Sequence, residues 1–219
     1  MLMSRPRIVK ETRRPVEEME PPRASTLTPH EWLSAESLTA YNEVADSGEV
    51  FDVYLSSVAE RKIKAHAVKE APKRLEVMGF MLGEVREWKG RTYSLVRDIV
   101  TTHLKSSSSK VRFDPVAFPE LFHDLDDSGF DYVLVGWYHS HPGHTCFLSR
   151  TDLETQRSMF DQPYHSALVI DPINRDIKTF KLSETAYDEV SFAIYEPGEG
   201  TKAKAKRSRK LRVNPVPPG

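Results

Sequence analysis

Glu76-Val77-Met78-Gly79-Phe80-Met81-Leu82-Gly83-Glu84-Val85 is an almost unbroken apolar run with a glutamate near each end. A run without alternation reads as a strand covered on both faces, because a strand with one wet face alternates. The segment Thr92-Tyr93-Ser94-Leu95-Val96-Arg97-Asp98-Ile99-Val100-Thr101 alternates more, and Gly90 supplies a turn between the two, so they form a hairpin within a core sheet. Covering both faces of a central strand calls for packed layers on each side. The chain is therefore expected to be α/β, with a mixed central sheet flanked by helices.

The neighbouring segments fit that plan. Before the hairpin, Val50 to Leu55 reads as a short strand, followed by a helix carrying Val58, Ile63, Ala67 and Val68 and ended by Pro72. After it, Ser106 to Ser109 mark a loop, and Phe113 to Leu125 carry a helical pattern opened by Asp114-Pro115. Tyr132 to Tyr138 is another buried strand, Ser149 opens a helix with Leu153, Met159 and Phe160, and strands near 165–171 and 177–182 turn at Pro172-Ile173-Asn174-Arg175. Upstream, Thr28-Pro29-His30-Glu31 has the form of a capped helix start, with a helix to about Val44 and a stop at Ser47-Gly48. The expected divisions are a disordered arm over 1–26, an accessory helix over 27–48, one domain over 49–183, and an extension over 184–219.

A chain of 219 residues with a net charge of -1 is long enough for one well-buried domain with flexible ends. Its near-neutral charge argues against nucleic acid or an anionic membrane as a partner. The basic tail of Lys202, Lys204, Lys206, Arg207, Arg209, Lys210 and Arg212 reads as a solvated segment. Cys146 is the single cysteine and has no internal disulfide partner, and no apolar run approaches the roughly 18 residues of a membrane span. Glu11, Glu17, Glu18 and Glu20 interrupt the Arg-rich N-terminus, unlike an organellar transit peptide. A reducing cytoplasm is the expected compartment.

The chemistry concentrates in Gly136-Trp137-Tyr138-His139-Ser140-His141-Pro142-Gly143, then Ser149 and Asp152. Two histidines two residues apart at a strand end project to one face, and Pro142 favours an extended His141. Asp152 lies in the first turn of the helix begun by Ser149, where side chains lean back toward the helix start and the dipole favours a carboxylate. Two imidazoles and a carboxylate form a ligand set seen in catalytic zinc sites, which keep a fourth position for water. Hydrolysis also needs an acid/base group, and Glu76 shares the strand parity of Met78 and Phe80. Glu84, at the other end of the same strand, competes for that role. Ser149 and Asp152 alone would be a helix capping box. His144 and His165 read as loop or surface residues, Cys146 as a small packing residue, and Gly79 and Gly83 as bulges or points of close backbone approach.

With a strand glutamate, His-x-His-Pro, seven residues, and then Ser-x-x-Asp, the chain resembles the JAMM (MPN-type) zinc metalloprotease family. The text around Glu76 and His139, and Asp171-Pro172 later, is most similar to the proteasome-lid and signalosome branch. The resemblance runs from about Val50 to Leu182. It implies that His139, His141 and Asp152 bind one catalytic zinc ion, that Glu76 activates water and protonates the departing amine, and that Ser149 stabilises the oxyanion. The implied substrates are isopeptide conjugates of ubiquitin or a ubiquitin-like protein, with the modifier's tail added as a strand near Lys110 to Phe113 of an insertion spanning Thr101 to Asp114. A proteasome or an activating partner is an expected companion. Lid subunits continue into long docking helices, whereas a short tail follows Leu182 here, which suits a self-standing enzyme such as one from an archaeon with a ubiquitin-like pathway. The rival reading is a non-enzymatic scaffold of the same fold. A zinc nucleobase deaminase is excluded, because those sites need His-x-Glu and paired cysteines.

Overall fold

The computed structural model describes residues 16–101 and 133–197. Along the chain these form β1 (Glu17–Glu18), β2 (Leu27–Thr28), α1 (Ala35–Ser47), β3 (Val53–Ser56), α2 (Ser57–Glu70), β4 (Met78–Trp88), β5 (Arg91–Thr101), β6 (Val133–Ser140), α3 (Arg150–Met159), β7 (Ser166–Asp171), β8 (Asp176–Leu182), β9 (Tyr187–Glu189) and β10 (Phe192–Tyr195). The strands make one mixed sheet ordered β2-β10-β3-β5-β4-β6-β7-β8-β9, with β1 added alongside β4. The expected loop at Ser106 to Ser109, the helix at Phe113 to Leu125 and the substrate strand at Lys110 to Phe113 lie outside the described residues.

The apolar run forms the middle of the sheet, with β4 antiparallel to both β5 and β6. Lys89 and Gly90 both have positive φ, 49° and 76°, the conformation of a two-residue turn whose twist matches a hairpin. Val77, Met81, Val96, Ile99, Tyr138, Leu168 and Ile170 pack beneath Ala59, Ile63 and Ala67 of α2. Met78, Phe80, Trp137, Ala167 and Val169 pack on the other face with Phe160 at the end of α3. Burying each of the Val, Leu, Ile, Phe and Met side chains among them stabilises the fold by about 1.5–3 kcal/mol. The glycines of β4 serve strand packing: a Cβ at Gly79 would lie 2.4 Å from the Val100 carbonyl oxygen, and one at Gly83 1.9 Å from that of Leu95.

Two bulges sit at the same level of β4. On the β6 side the pairing runs Met81↔Gly136 and then Leu82↔Leu134, leaving Val135 without a cross-strand partner. On the β5 side it runs Leu82↔Asp98 and then Gly83↔Val96, leaving Arg97 out. A bulge re-aims the extra residue. Here the Arg97 guanidinium Nε donates to Glu84 at 2.8 Å.

Three sequence expectations need correction. The helix after Thr28 begins later, because Thr28 pairs with Ile194 in the sheet and His30 is buried, its Nδ1 accepting the Trp32 N–H at 3.0 Å. Ser34 caps α1 instead, accepting the Ser37 N–H at 3.1 Å, and Gly48 closes it in the left-handed conformation. The boundary placed after residue 183 falls inside the sheet, since β10 is wholly buried and runs parallel to β3. The arm expected over 1–26 is also placed in its later part. Glu17 and Glu18 pair with Arg86 and Glu87, and the Tyr93 hydroxyl donates to the Met19 carbonyl at 2.8 Å.

Candidate metal centre

The site lies where β6 ends and α3 begins. His139 is the next-to-last residue of β6 and His141 follows the strand, both turned to the α3 face, 2% and 4% exposed. Backbone continuity keeps them on one side: His141 N–H donates to the Ile170 carbonyl of β7 at 3.0 Å, so the extended conformation persists one residue beyond β6. The two Nε2 atoms are 3.2 Å apart, and Asp152 Oδ2 lies 3.5 Å from each. Four ligands arranged tetrahedrally at the 2.0–2.1 Å typical of zinc with nitrogen and oxygen would stand about 3.3–3.4 Å apart. Three of those corners are therefore present, and the donor set suits that ion. Among the described residues, His139, His141 and Asp152 form the cluster with metal-ligand spacing.

Each of the three side chains is held by a different device. Asp152 belongs to a capping box: Ser149 Oγ accepts the Asp152 N–H at 3.3 Å, and Asp152 Oδ2 accepts the Ser149 N–H at 2.8 Å. The oxygen that faces the histidines is thus oriented by the helix start, and the capping-box reading of the Ser149/Asp152 pair is present in the structure. The His139 ring stacks on Trp137, with centroids 4.4 Å apart and planes 11° from parallel. Trp137 is in turn tied to α3, its Nε1–H donating to Gln156 Oε1 at 2.6 Å. This bond joins the strand that carries His139 and leads into His141 to the helix that carries Asp152. His141 Nδ1 faces the Thr145 carbonyl at 3.2 Å, which places the ring proton on Nδ1 and leaves Nε2 free for an ion.

Charge follows the same geometry. Burial pushes the Asp152 carboxyl up, but hydrogen bonds from His139 and His141, their positive charge when protonated, and Ser149 hold it well below the usual carboxylate range. Burial pulls His141 down, yet Asp152 first and Glu76 next raise it above its ordinary value.

Glu76 stands two residues ahead of β4 and is half-buried. Ladder pair Met78↔His139 and the Ser140 N–H donated to the Val77 carbonyl at 2.9 Å continue in register, which sets Glu76 opposite His141. Ser140, the residue between the histidines, fixes this register a second time, because its buried Oγ accepts the Val77 N–H at 2.9 Å. Glu84 is held elsewhere, about 26 Å along the strand at ~3.3 Å per residue. There Arg97 and Arg86 clamp it.

The other candidates take structural parts. His165 is buried, with Nδ1 accepting the Gln162 N–H and Nε2 beside the Leu134 carbonyl, each at 3.2 Å. His144 is exposed on the loop after His141. Cys146 is buried with Sγ on the Val169 carbonyl at 3.3 Å, and burial raises its thiol pKa. Trp137, Ser140, Gln156 and Thr145 escaped the sequence reading. Only Trp137 and Ser140 left a trace there, by lying inside the His-x-His stretch.

Comparison with known proteins adds a family pattern. A model described as JAB1/Mov34/MPN/PAD-1 ubiquitin protease matches residues 49–162. The 26S proteasome non-ATPase regulatory subunit 14 of Dictyostelium discoideum is 35% identical over 162 residues, 69% of this chain and 50% of that protein. Ubiquitin carboxyl-terminal hydrolase RPN11 of Saccharomyces cerevisiae is 38% identical over 123 residues, 55% of this chain and 39% of that one. COP9 signalosome complex subunit 5 of Debaryomyces hansenii is 34% identical over 128 residues, 56% of this chain and 26% of that one. The matched region spans half the length of these relatives or less.

Proposed function

Because the chain belongs to the JAB1/Mov34/MPN/PAD-1 ubiquitin protease family, we propose that it is a zinc-dependent isopeptidase, hydrolysing the bond between the C-terminal glycine of ubiquitin or a ubiquitin-like modifier and a lysine amine. The observation that carries this reading is the convergence of His139, His141 and Asp152 at 3.2–3.5 Å with Glu76 in register across the strand pair. His139 Nε2, His141 Nε2 and Asp152 Oδ2 would hold the ion. When bound, zinc lowers the pKa of a coordinated water toward neutrality and polarises a carbonyl.

Glu76 takes the proton released as the water oxygen bonds to the glycine carbonyl carbon. It then delivers that proton to the lysine nitrogen as the carbon–nitrogen bond breaks. Ser149 Oγ acts as an acceptor toward Asp152 N–H, so its hydroxyl proton can donate to the oxyanion. A proteasome or an activating partner belongs to the same proposal, as does action in a reducing cytoplasm.

The test is cleavage of ubiquitin-like fusions and isopeptide conjugates by the purified protein, with chelator, zinc add-back and metal analysis, and Glu76→Gln as control. Chelator-sensitive cleavage lost in the variant is the expected result. Full activity in metal-free protein would overturn the mechanism, and a chain that binds no zinc would point to the scaffold.

A further inference from the structure

We propose that Asp171, the last residue of β7, is a positioning residue for the metal centre, holding Thr145 in a left-handed conformation so that the Thr145 carbonyl fixes the tautomer and orientation of His141. The proposal rests on His141 being a metal ligand.

Asp171 is completely buried, a costly place for a carboxylate unless donors surround it. Its Oδ1 accepts the N–H groups of Gly143 at 2.8 Å, Ile173 at 2.9 Å and Asn174 at 3.1 Å. Oδ2 accepts the Thr145 N–H at 2.9 Å and the Asn174 Nδ2–H at 2.7 Å. The bonds from Ile173 and Asn174 close the turn between β7 and β8. Those from Gly143 and Thr145 do something else, reaching back across the sequence to the loop that follows His141. Burial raises the Asp171 carboxyl, but backbone donors led by Gly143 hold it below the usual carboxylate range, so the anion is maintained where the loop needs it.

Thr145 has a φ of 64°. A β-branched residue rarely adopts that region, and it persists there only where surrounding contacts hold it. The conformation has an evident use: Thr145 gives its N–H to Asp171 and its carbonyl to His141 Nδ1, 3.2 Å away. A relay therefore runs from the Asp171 carboxylate through one peptide residue to the ring proton of His141. The main chain beside it adds a second hold, since Ile170, next to Asp171, accepts the His141 N–H. His139 lacks any such support, because its buried Nδ1 has no hydrogen-bond partner among the described residues. Tautomer control in the pair therefore falls to His141.

Zinc affinity of the 219-residue chain, read by competition with a chromogenic chelator, tests this. Asp171→Ala is expected to weaken zinc by at most about 10–100-fold, the range for losing a partner in direct contact with a ligating histidine, since Asp171 acts on His141 through Thr145. Asp171→Asn should weaken it less. Adding Thr145→Gly to either variant should recover part of the loss, because glycine enters the left-handed region without support. Affinities of both Asp171 variants indistinguishable from wild type would overturn the proposal. So would a loss that Thr145→Gly leaves untouched, which would confine Asp171 to folding the turn. Should Asp171→Ala fail to fold, Asp171→Asn with and without Thr145→Gly carries the same comparison.

Long-range proton–nitrogen NMR of metal-free protein at alkaline pH, where imidazoles are neutral, separates this proposal from the zinc reading. His141 should carry its proton on Nδ1 in wild type and show a mixture in Asp171→Asn, whether or not zinc binds. An unchanged tautomer in the variant would sink the relay.

Discussion

At the N-terminal end of β4, Glu76 faces His141 across the ladder with β6, whereas toward its C-terminal end Glu84 lies between Arg97, at 2.8 Å, and Arg86. The two carboxylates share a strand and differ in what surrounds them. Glu84 has fixed cationic partners in both directions, supplied by a bulge that pushes Arg97 toward it and by Arg86 two residues along β4. A group so paired is spent on structure. Among the described residues no arginine or lysine forms a salt bridge with Glu76, which stands opposite His141 at the histidine cluster. Residue type and strand alone therefore do not separate these two glutamates. Their neighbours across the ladder do.

The largest contrast is expected in turnover. Glu76→Gln should lower the rate of isopeptide cleavage by about 10²–10⁴-fold, the range for loss of general acid–base catalysis, while zinc content and melting temperature stay at wild-type values. A similar fall in Glu84→Gln would erase the distinction between the two ends. That second variant should instead lose about 1–3 kcal/mol in denaturant unfolding, leaving Arg97 and Arg86 short of their charge partner, with turnover preserved. Ser140→Ala leaves the buried Val77 N–H without its side-chain acceptor and should destabilise by about 1–2 kcal/mol, with a modest fall in turnover from a looser Glu76. Unchanged stability and turnover together would show that the main-chain bond from Ser140 to Val77 suffices.

The smallest effect is a pH dependence. Burial raises the Glu84 carboxyl, but hydrogen bonds and charge from Arg97 and Arg86 bring it below its ordinary value. The unfolded chain then binds this proton more readily than the folded one. The stabilisation is therefore fully present above the unfolded carboxylate range near about 4.3 and is lost as pH falls through the lower folded value. Unfolding curves from about pH 5 downward should fall more steeply for wild type than for Glu84→Gln. Parallel curves would mean that the clamp does not survive in solution.

Much of this arrangement is written in short-range pattern. The apolar run of β4 announces a strand buried on both faces, and His139, His141, Ser149 and Asp152 stand at spacings that strand and helix geometry bring together. Other parts depend on distant partners. The capping pattern at Thr28 is a sound local signal overridden by pairing with Ile194, 166 positions away in sequence. Strand β10 is short, though Phe192, Ala193, Ile194 and Tyr195 are all apolar, and its place between β2 and β3 follows from topology that no local window contains. Asp171 reads locally as a turn residue before proline. Its reach to Thr145 appears only once two loops meet.

The unpaired Val135 has a bearing on how chains of this kind can change length. Pairing on the site side of the bulge aligns Glu76 with His141, and pairing beyond it is offset by one residue. Deleting a β6 residue between Gly136 and His139 would slide the histidines past their partners and turn alternate side chains to the wrong face. Deleting Val135 would remove the offset and leave the aligned segment where it is. The bulge is thus the point in β6 where a single codon could be lost without shifting Glu76 relative to His141, an allowance for insertions and deletions placed just outside the chemistry.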